Sequence, residues 1–300
     1  MRKKKLSKLK EAAIRAFFFT SAVLAILVLV GIFATLITTA FPVFKEINIG
    51  RFLSGKTWDP TSPEKAEYGI LSMIMSTLLV TVGALAIAVP IGIGVAAYLS
   101  DVAHWRVREI VKPVVEILAG IPSVVIGFLG MVLFAPTIAK VFHVPHGLTA
   151  LNGSLLLAIM ALPTIISISE DSLNAVPAIY SEASLALGAS RWQTLVRVKL
   201  PAALSGIIAA SMLGMGRAIG ETITVLMATG NARTFPHLPQ ALLESVRTMT
   251  ANIAIELGEV PYYTTHYYAL FAIGLVLFVM TFIVNLVADV VLRKYQEREQ

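Results

Sequence analysis

The stretch GRFLSGKT, Gly50 to Thr57, fits the phosphate-loop pattern G-x-x-x-x-G-K-[ST] at every fixed position. In such a loop, backbone N–H groups and a helix N-terminus cradle nucleotide phosphates, the lysine reaches them, and the hydroxyl binds magnesium. A second stretch, GRAIGET from Gly216 to Thr222, places Arg217 four residues before Glu221. Guanidinium offers a planar fork of donors suited to oxyanions. A carboxylate beside it accepts a hydrogen bond from a protonated oxyanion such as hydrogen phosphate and repels sulfate, which has no proton to give. Thr222 adds a hydroxyl. His143 and His146 have no third ligand in view, so a metal site is not expected. The chain contains no cysteine, which excludes disulfides, thiol chemistry and cysteine-ligated zinc.

The elements that must carry these residues follow from composition. Of 300 residues, 57% are hydrophobic and 14% charged, and the mean hydropathy is +0.80. A helix needs about 20 apolar residues to cross a bilayer core. Six apolar segments stand out, at 16–40, 69–99, 113–135, 153–169, 203–229 and 267–292. The expected fold is an all-α membrane protein with six transmembrane helices. The formal charge of +6 arises beside apolar runs, which points to membrane lipid rather than nucleic acid.

Orientation follows from the lysines and arginines. With the N-terminus inside, inner segments hold 16 of the 24, outer loops hold seven, and Arg217 remains within a span. Both termini are therefore expected in the cytoplasm. The first apolar run exceeds the 7–15 residues of a signal-peptide core, so it is read as a retained anchor. The chain then divides into a basic cytoplasmic N-terminus (1–15), a first transmembrane helix (16–40), an extracytoplasmic loop (41–68), a core of five further helices (69–292) and a cytoplasmic tail (293–300).

That topology undercuts the phosphate-loop match. The residues after Thr57 read WDPTSPEK, with Pro60 and Pro63 where the loop's helix should begin. The stretch also lies outside the cell, where ATP is scarce. ATP binding is not expected there.

Arg217, near the middle of the fifth segment, costs roughly 2.5–3.5 kcal/mol to insert and needs compensation. An i,i+4 spacing puts Glu221 on its helix face, and Gly216 and Gly220 let a neighbouring helix approach. Either a structural ion pair or an oxyanion site on a transport path fits this pattern. Glu116 is expected a turn inside the third segment, either snorkelling to the inner surface or lining the path. Pro122 and Pro163 are expected to kink their helices, and Asp289 pairs with Arg293 by spacing.

The longest inner loop contains SEASLALGASRWQTLVRVKLPAA, 181–203. SEASLAL predicts a short helix stopped by Gly188. Ser190 and Gln193 have capping-box spacing for a second helix, and Pro201 ends the pattern. The apolar face of Ala183, Leu185 and Leu187 needs a cover, either a partner that docks on it or the bilayer surface on which an amphipathic segment would lie.

Glu182, Ala183 and Gly188, followed by Val198, Leu200 and Pro201, resemble the EAA loop of ABC-importer permeases, with Ser184 and Val198 as conservative departures. GRAIGETITVLMATGN (216–231) and EILAGIPSVVIGFLG (116–130) look like motifs of the phosphate permeases, with the PstC subunit favoured over PstA by the residues after GET. The resemblance extends from about Trp58 to Asp289. It implies the type I importer permease fold, with the EAA loop as a coupling helix docking on a separate ATPase. It further implies Arg217 and Glu221 in the path of inorganic phosphate, a PstA-like second permease, two PstB-like ATPases holding ATP and magnesium, and a PstS-like binding protein at loops 43–67 and 230–266. The chain itself is expected to bind no cofactor, to lack enzymatic activity and to lie in the inner membrane. Alternatives are the same machine carrying sulfate, molybdate or tungstate, an intramembrane enzyme using Glu221 or His266, and a transporter or channel independent of ATP.

Overall fold

The structure, a computed structural model, describes residues 2–237 and 240–296. The side chains of most of the basic N-terminus and of the 293–300 tail lie outside the described residues, as does the Arg293 half of the expected pair with Asp289.

Among the described residues, ten principal helices carry the fold. They are α1 (Arg2–Ala40), α2 (Leu71–Ala97), α3 (Trp105–Gly120), α4 (Ser123–Phe142), α5 (Ala150–Asn174), α6 (Ala178–Ala186), α7 (Leu204–Gly220), α8 (Ile223–Ala228), α9 (Met249–Glu256) and α10 (Thr265–Gln296). Among the described residues, five helical stretches are long and apolar enough to cross a bilayer. A sixth is reached if Arg191–Ala202 and α7, bent by 69°, count as one span.

Two helices break where the apolar pattern runs on. The third apolar segment was expected over 113–135, yet α3 ends at Gly120 and α4 starts at Ser123, with Ile121 and Pro122 both extended. Proline disfavours helical backbone in the residue before it, which accounts for the break. Glu116 consequently lies on α3, exposed, and not within a span of the bundle. The fifth segment breaks at Glu221, whose φ of −69° and ψ of 131° are extended. By contrast α5 runs through Pro163 without interruption.

The centre of the bundle is the seam of α2 and α5, where Val80, Ala84 and Ala88 meet Leu157, Ala161 and Ile165. Burying apolar surface drives little association between helices in lipid, so close packing and polar contacts must hold them. The Ser154 hydroxyl bridges toward Val80 O (3.2 Å) and Ala150 O (2.8 Å). A π-turn at Gly130–Phe134 interrupts α4. There the Asn152 amide, fully buried, donates to Gly130 O and Ala228 O at 3.1 Å each, tying α5 to α4 and α8. The first helix is exposed along its apolar length and meets α10, with Phe33 and Phe278 rings 5.1 Å apart.

At one end of the bundle, Phe52, Trp58, Ile70, Met73, Met249 and Ile273 form a second cluster. It seats a two-stranded hairpin, β1 (Trp58–Asp59) against β2 (Glu67–Tyr68), onto α9 and α10. The GRFLSGKT stretch lies here, and a helix (Ile49–Ser54) precedes its Gly-Lys instead of following it. The Gly50 N–H is taken by the Asn48 side chain at 2.8 Å. A Cβ on Gly55 would lie 2.7 Å from both Arg51 O and Gly69 Cα. These glycines serve a capped turn and a close backbone crossing, which explains the pattern without a nucleotide.

Candidate functional site

The two helix breaks meet. The Thr224 hydroxyl on α8 lies 3.1 Å from Ser123 O at the start of α4 and 3.3 Å from Glu221 Oε1. With one hydroxyl proton, Thr224 donates to one of these acceptors at a time. A Cβ on Gly127 would approach Thr224 Cα to 3.3 Å, so glycine at that position lets α4 and α8 touch. Discontinuous spans that meet inside a bundle put unsatisfied backbone groups beside a path, a recurrent way for transporters to handle ions.

Arg217 and Glu221 do not share a helix face, contrary to their spacing. Gly220 ends α7, Glu221 turns away in extended backbone, and no ion pair joins the two among the described residues. Arg217 is exposed in the last turn of α7, where a cation also complements the helix dipole. The small-residue pair is likewise split. A Cβ on Gly216 would lie 4.0 Å from Asn285 Oδ1 on α10, whereas Gly220 faces open space. Thr222 is half-buried and its hydroxyl donates locally to Gly220 O at 3.4 Å. Sequence reasoning missed Ser123 and Thr224; the signal for the first was Pro122 immediately before it.

A third group was also missed. Glu256 at the end of α9 is 5% exposed and gathers four donors. Arg233 and Arg247 reach Oε1 at 3.1 and 3.0 Å, while Trp58 Nε1 and His266 Nε2 reach Oε2 at 2.9 and 2.8 Å. Burial pushes the Glu256 carboxyl up, but hydrogen bonds from His266 and Trp58 and the charge of Arg233 outweigh it, leaving it below the ordinary value. Burial, then the neighbouring Arg233 charge, pull the Arg247 guanidinium below its usual value, against the opposing pull of Glu256. Five residues scattered from 58 to 266 form this cluster, so no local pattern announces it.

At the opposite end, the 181–203 loop folds largely as its spacing predicts. Gly188 adopts φ +85°. The capping box forms, with Ser190 N donating to Gln193 Oε1 (2.8 Å) and Gln193 N to Ser190 Oγ (3.2 Å). Glu182 and Ala183 are exposed on α6, Leu185 is 44% and Leu187 90% exposed, and Ser184 hydrogen-bonds Thr194 at 3.0 Å. Val198 sits in a π-turn (Leu195–Lys199), followed by Leu200 and Pro201 at the approach to α7. Lys199 pairs with Asp101 at 2.6 Å, tying the loop to the end of α2. Arg108 of α3 pairs with the buried Glu170 of α5 at 2.6 Å, Lys112 at 3.4 Å. A cavity of about 570 Å³ beside Asp101, Leu185 and Trp192 leaves this surface concave.

A bundle with broken spans and an exposed helical loop at one end is the fold of a type I ABC importer permease. It aligns with a TM-score of 0.56 and 19% identity to the structure titled "Inward facing conformations of the MetNI methionine ABC transporter", covering 76% of this chain and 94% of that one. The chain belongs to the family of binding-protein-dependent transport system inner membrane components, whose model matches residues 88–297. It is 32% identical over 320 residues to the phosphate transport system permease protein PstC of Mesorhizobium japonicum, covering 96% of this chain and 95% of the relative. It is 39% identical over 232 residues to the probable ABC transporter permease protein YqgH of Bacillus subtilis, covering 77% of this chain and 74% of the relative.

Proposed function

We propose that this chain is a permease subunit of an ATP-driven importer of inorganic phosphate. The similarity to PstC proteins over nearly their whole length carries the substrate assignment. Arg217 supplies transient charge compensation to the anion at the break between α7 and α8. Its side chain supports that role, being exposed and without an ion-pair partner among the described residues. Glu221 selects the protonated anion by accepting its hydrogen bond, and Thr222 lines the same break. Attraction must stay moderate, because the substrate has to leave.

Both termini face the cytoplasm in this reading, which puts α6 and the Glu182–Pro201 loop where an ATPase can reach them. A PstB-like ATPase pair docks on Glu182, Ala183, Ser184 and Gly188 and moves α7 through Val198, Leu200 and Pro201. A PstA-like permease completes the path. A PstS-like binding protein delivers phosphate at the end that carries the 43–67 and 230–266 loops. ATP and magnesium belong to the ATPase subunits, and the chain performs no catalysis of its own.

Uptake by the reconstituted importer, with its binding protein and ATPase, tests the assignment. Labelled phosphate should accumulate only with ATP and be insensitive to excess sulfate or molybdate. Accumulation of labelled sulfate, molybdate or tungstate in preference to phosphate would assign the importer to another oxyanion.

A further inference from the structure

We infer that α9 is a positioning element of the transport path, and that Thr250 is the residue through which it fixes the break at Glu221. The inference rests on the reading of Glu221 as a path residue. Its basis is the fate of one carbonyl. Once α7 ends at Gly220, the Glu221 carbonyl points out of helical register, and the Thr250 hydroxyl donates to it at 2.9 Å. Thr250 is 6% exposed, so water does not readily replace that donor.

The hydroxyl is itself held. Thr250 Oγ1 lies 3.1 Å from Thr248 Oγ1. Because the Thr250 proton goes to Glu221, Thr248 must be the donor in that contact. Thr248 also caps α9 by accepting from Ala251 N at 3.2 Å. Next to it, Met249 N donates to Thr77 Oγ1 of α2 at 3.1 Å. The far end of α9 is anchored by Glu256, six residues and roughly 9 Å along the helix, to Trp58, Arg233, Arg247 and His266. A short helix clamped at both ends thus presents one hydroxyl to the break. Its other clamp lies among the loops 43–67 and 230–266.

The chain has no cysteine, which makes a direct positional assay available. In the assembled importer, Glu221→Cys introduces the one thiol of this chain, and its reaction rate with a small methanethiosulfonate reagent reports where position 221 sits. Thr250→Val, with Thr250→Ala as a smaller alternative, should change that rate by roughly three- to ten-fold, the effect of losing one buried hydrogen bond. Thr250→Ser should restore it. On the otherwise unaltered chain, Thr250→Val should lower the maximal uptake rate several-fold, leave the phosphate concentration for half-maximal uptake unchanged, and preserve co-purification of the ATPase. A labelling rate unmoved by both Thr250→Val and Thr250→Ala overturns the inference, as does a moved rate with unchanged uptake. Normal uptake by Glu221→Gln would instead remove the path reading beneath it, and the labelling result distinguishes the two failures.

Discussion

Replacing Glu256 by leucine should unfasten the end of the bundle that carries the hairpin. Arg247 is 11% exposed at its side chain and makes its ion pair with Glu256, whose own side chain is 6% exposed. Removing one partner of a buried pair costs about 3–5 kcal/mol, because the other charge is left uncompensated. Arg233 is 40% exposed and retains Asp59 at 3.7 Å, so its loss adds little after solvent screening. The expected destabilisation is therefore about 3–5 kcal/mol, concentrated where Trp58 packs. Trp58 is 1% exposed and is one of three tryptophans, so with Trp105→Phe and Trp192→Phe its fluorescence follows this region alone. The sign of the pH dependence follows from the depressed Glu256 carboxyl. Its stabilisation is complete above the unfolded carboxylate value of about 4.3 and is lost as pH falls through the lower folded value. Acid titration should release Trp58 only in that window, and Glu256→Gln should abolish the step while raising Trp58 emission in water-like surroundings at neutral pH. Unchanged thermal stability and an unshifted Trp58 spectrum in the Glu256→Leu chain would show that Glu256 does not hold this end of the bundle.

Other expectations follow from single positions. Gly188→Val places a β-branched residue at φ +85°, at a cost of roughly 1–2 kcal/mol, and should reduce ATPase co-purification; undiminished recovery would exclude the 181–203 loop as the docking element. Glu182→Lys should do the same by charge reversal on the exposed face of α6. Photolabelling of this chain by an azido-ATP should stay at the same background with and without Lys56→Ala, since the Asn48 side chain already takes the Gly50 N–H of the GRFLSGKT turn, and specific labelling lost in Lys56→Ala would reopen that site. Gly55→Ala should destabilise the hairpin, because its Cβ would meet Gly69 Cα at 2.7 Å; limited proteolysis of the 43–69 region measures this.

Local signals were readable in the sequence and long-range ones were not. The capping box at Ser190 and Gln193 and the stop at Gly188 depend on residues within one turn, and spacing alone located them. Arg217 and Glu221 have helical spacing too, yet their helix ends between them. The hydroxyl that donates to the Glu221 carbonyl comes from Thr250, 29 residues away. Hydropathy carried the third apolar segment across Pro122 because a helix break between two apolar runs leaves the average unchanged. Pro122 itself was visible and was read as a kink, where the extended Ile121 makes it a full break. No spacing marks Glu256, since Trp58, Arg233, Arg247 and His266 converge on it only after the chain folds.

In the proposed mechanism, phosphate passes the break at Glu221 under the charge of Arg217. The most direct measurement is phosphate uptake by an importer carrying Arg217→Gln, with co-purification of the ATPase and second permease verified on the same sample. The complex should assemble, with uptake at background. Assembly with wild-type uptake would contradict the proposed mechanism.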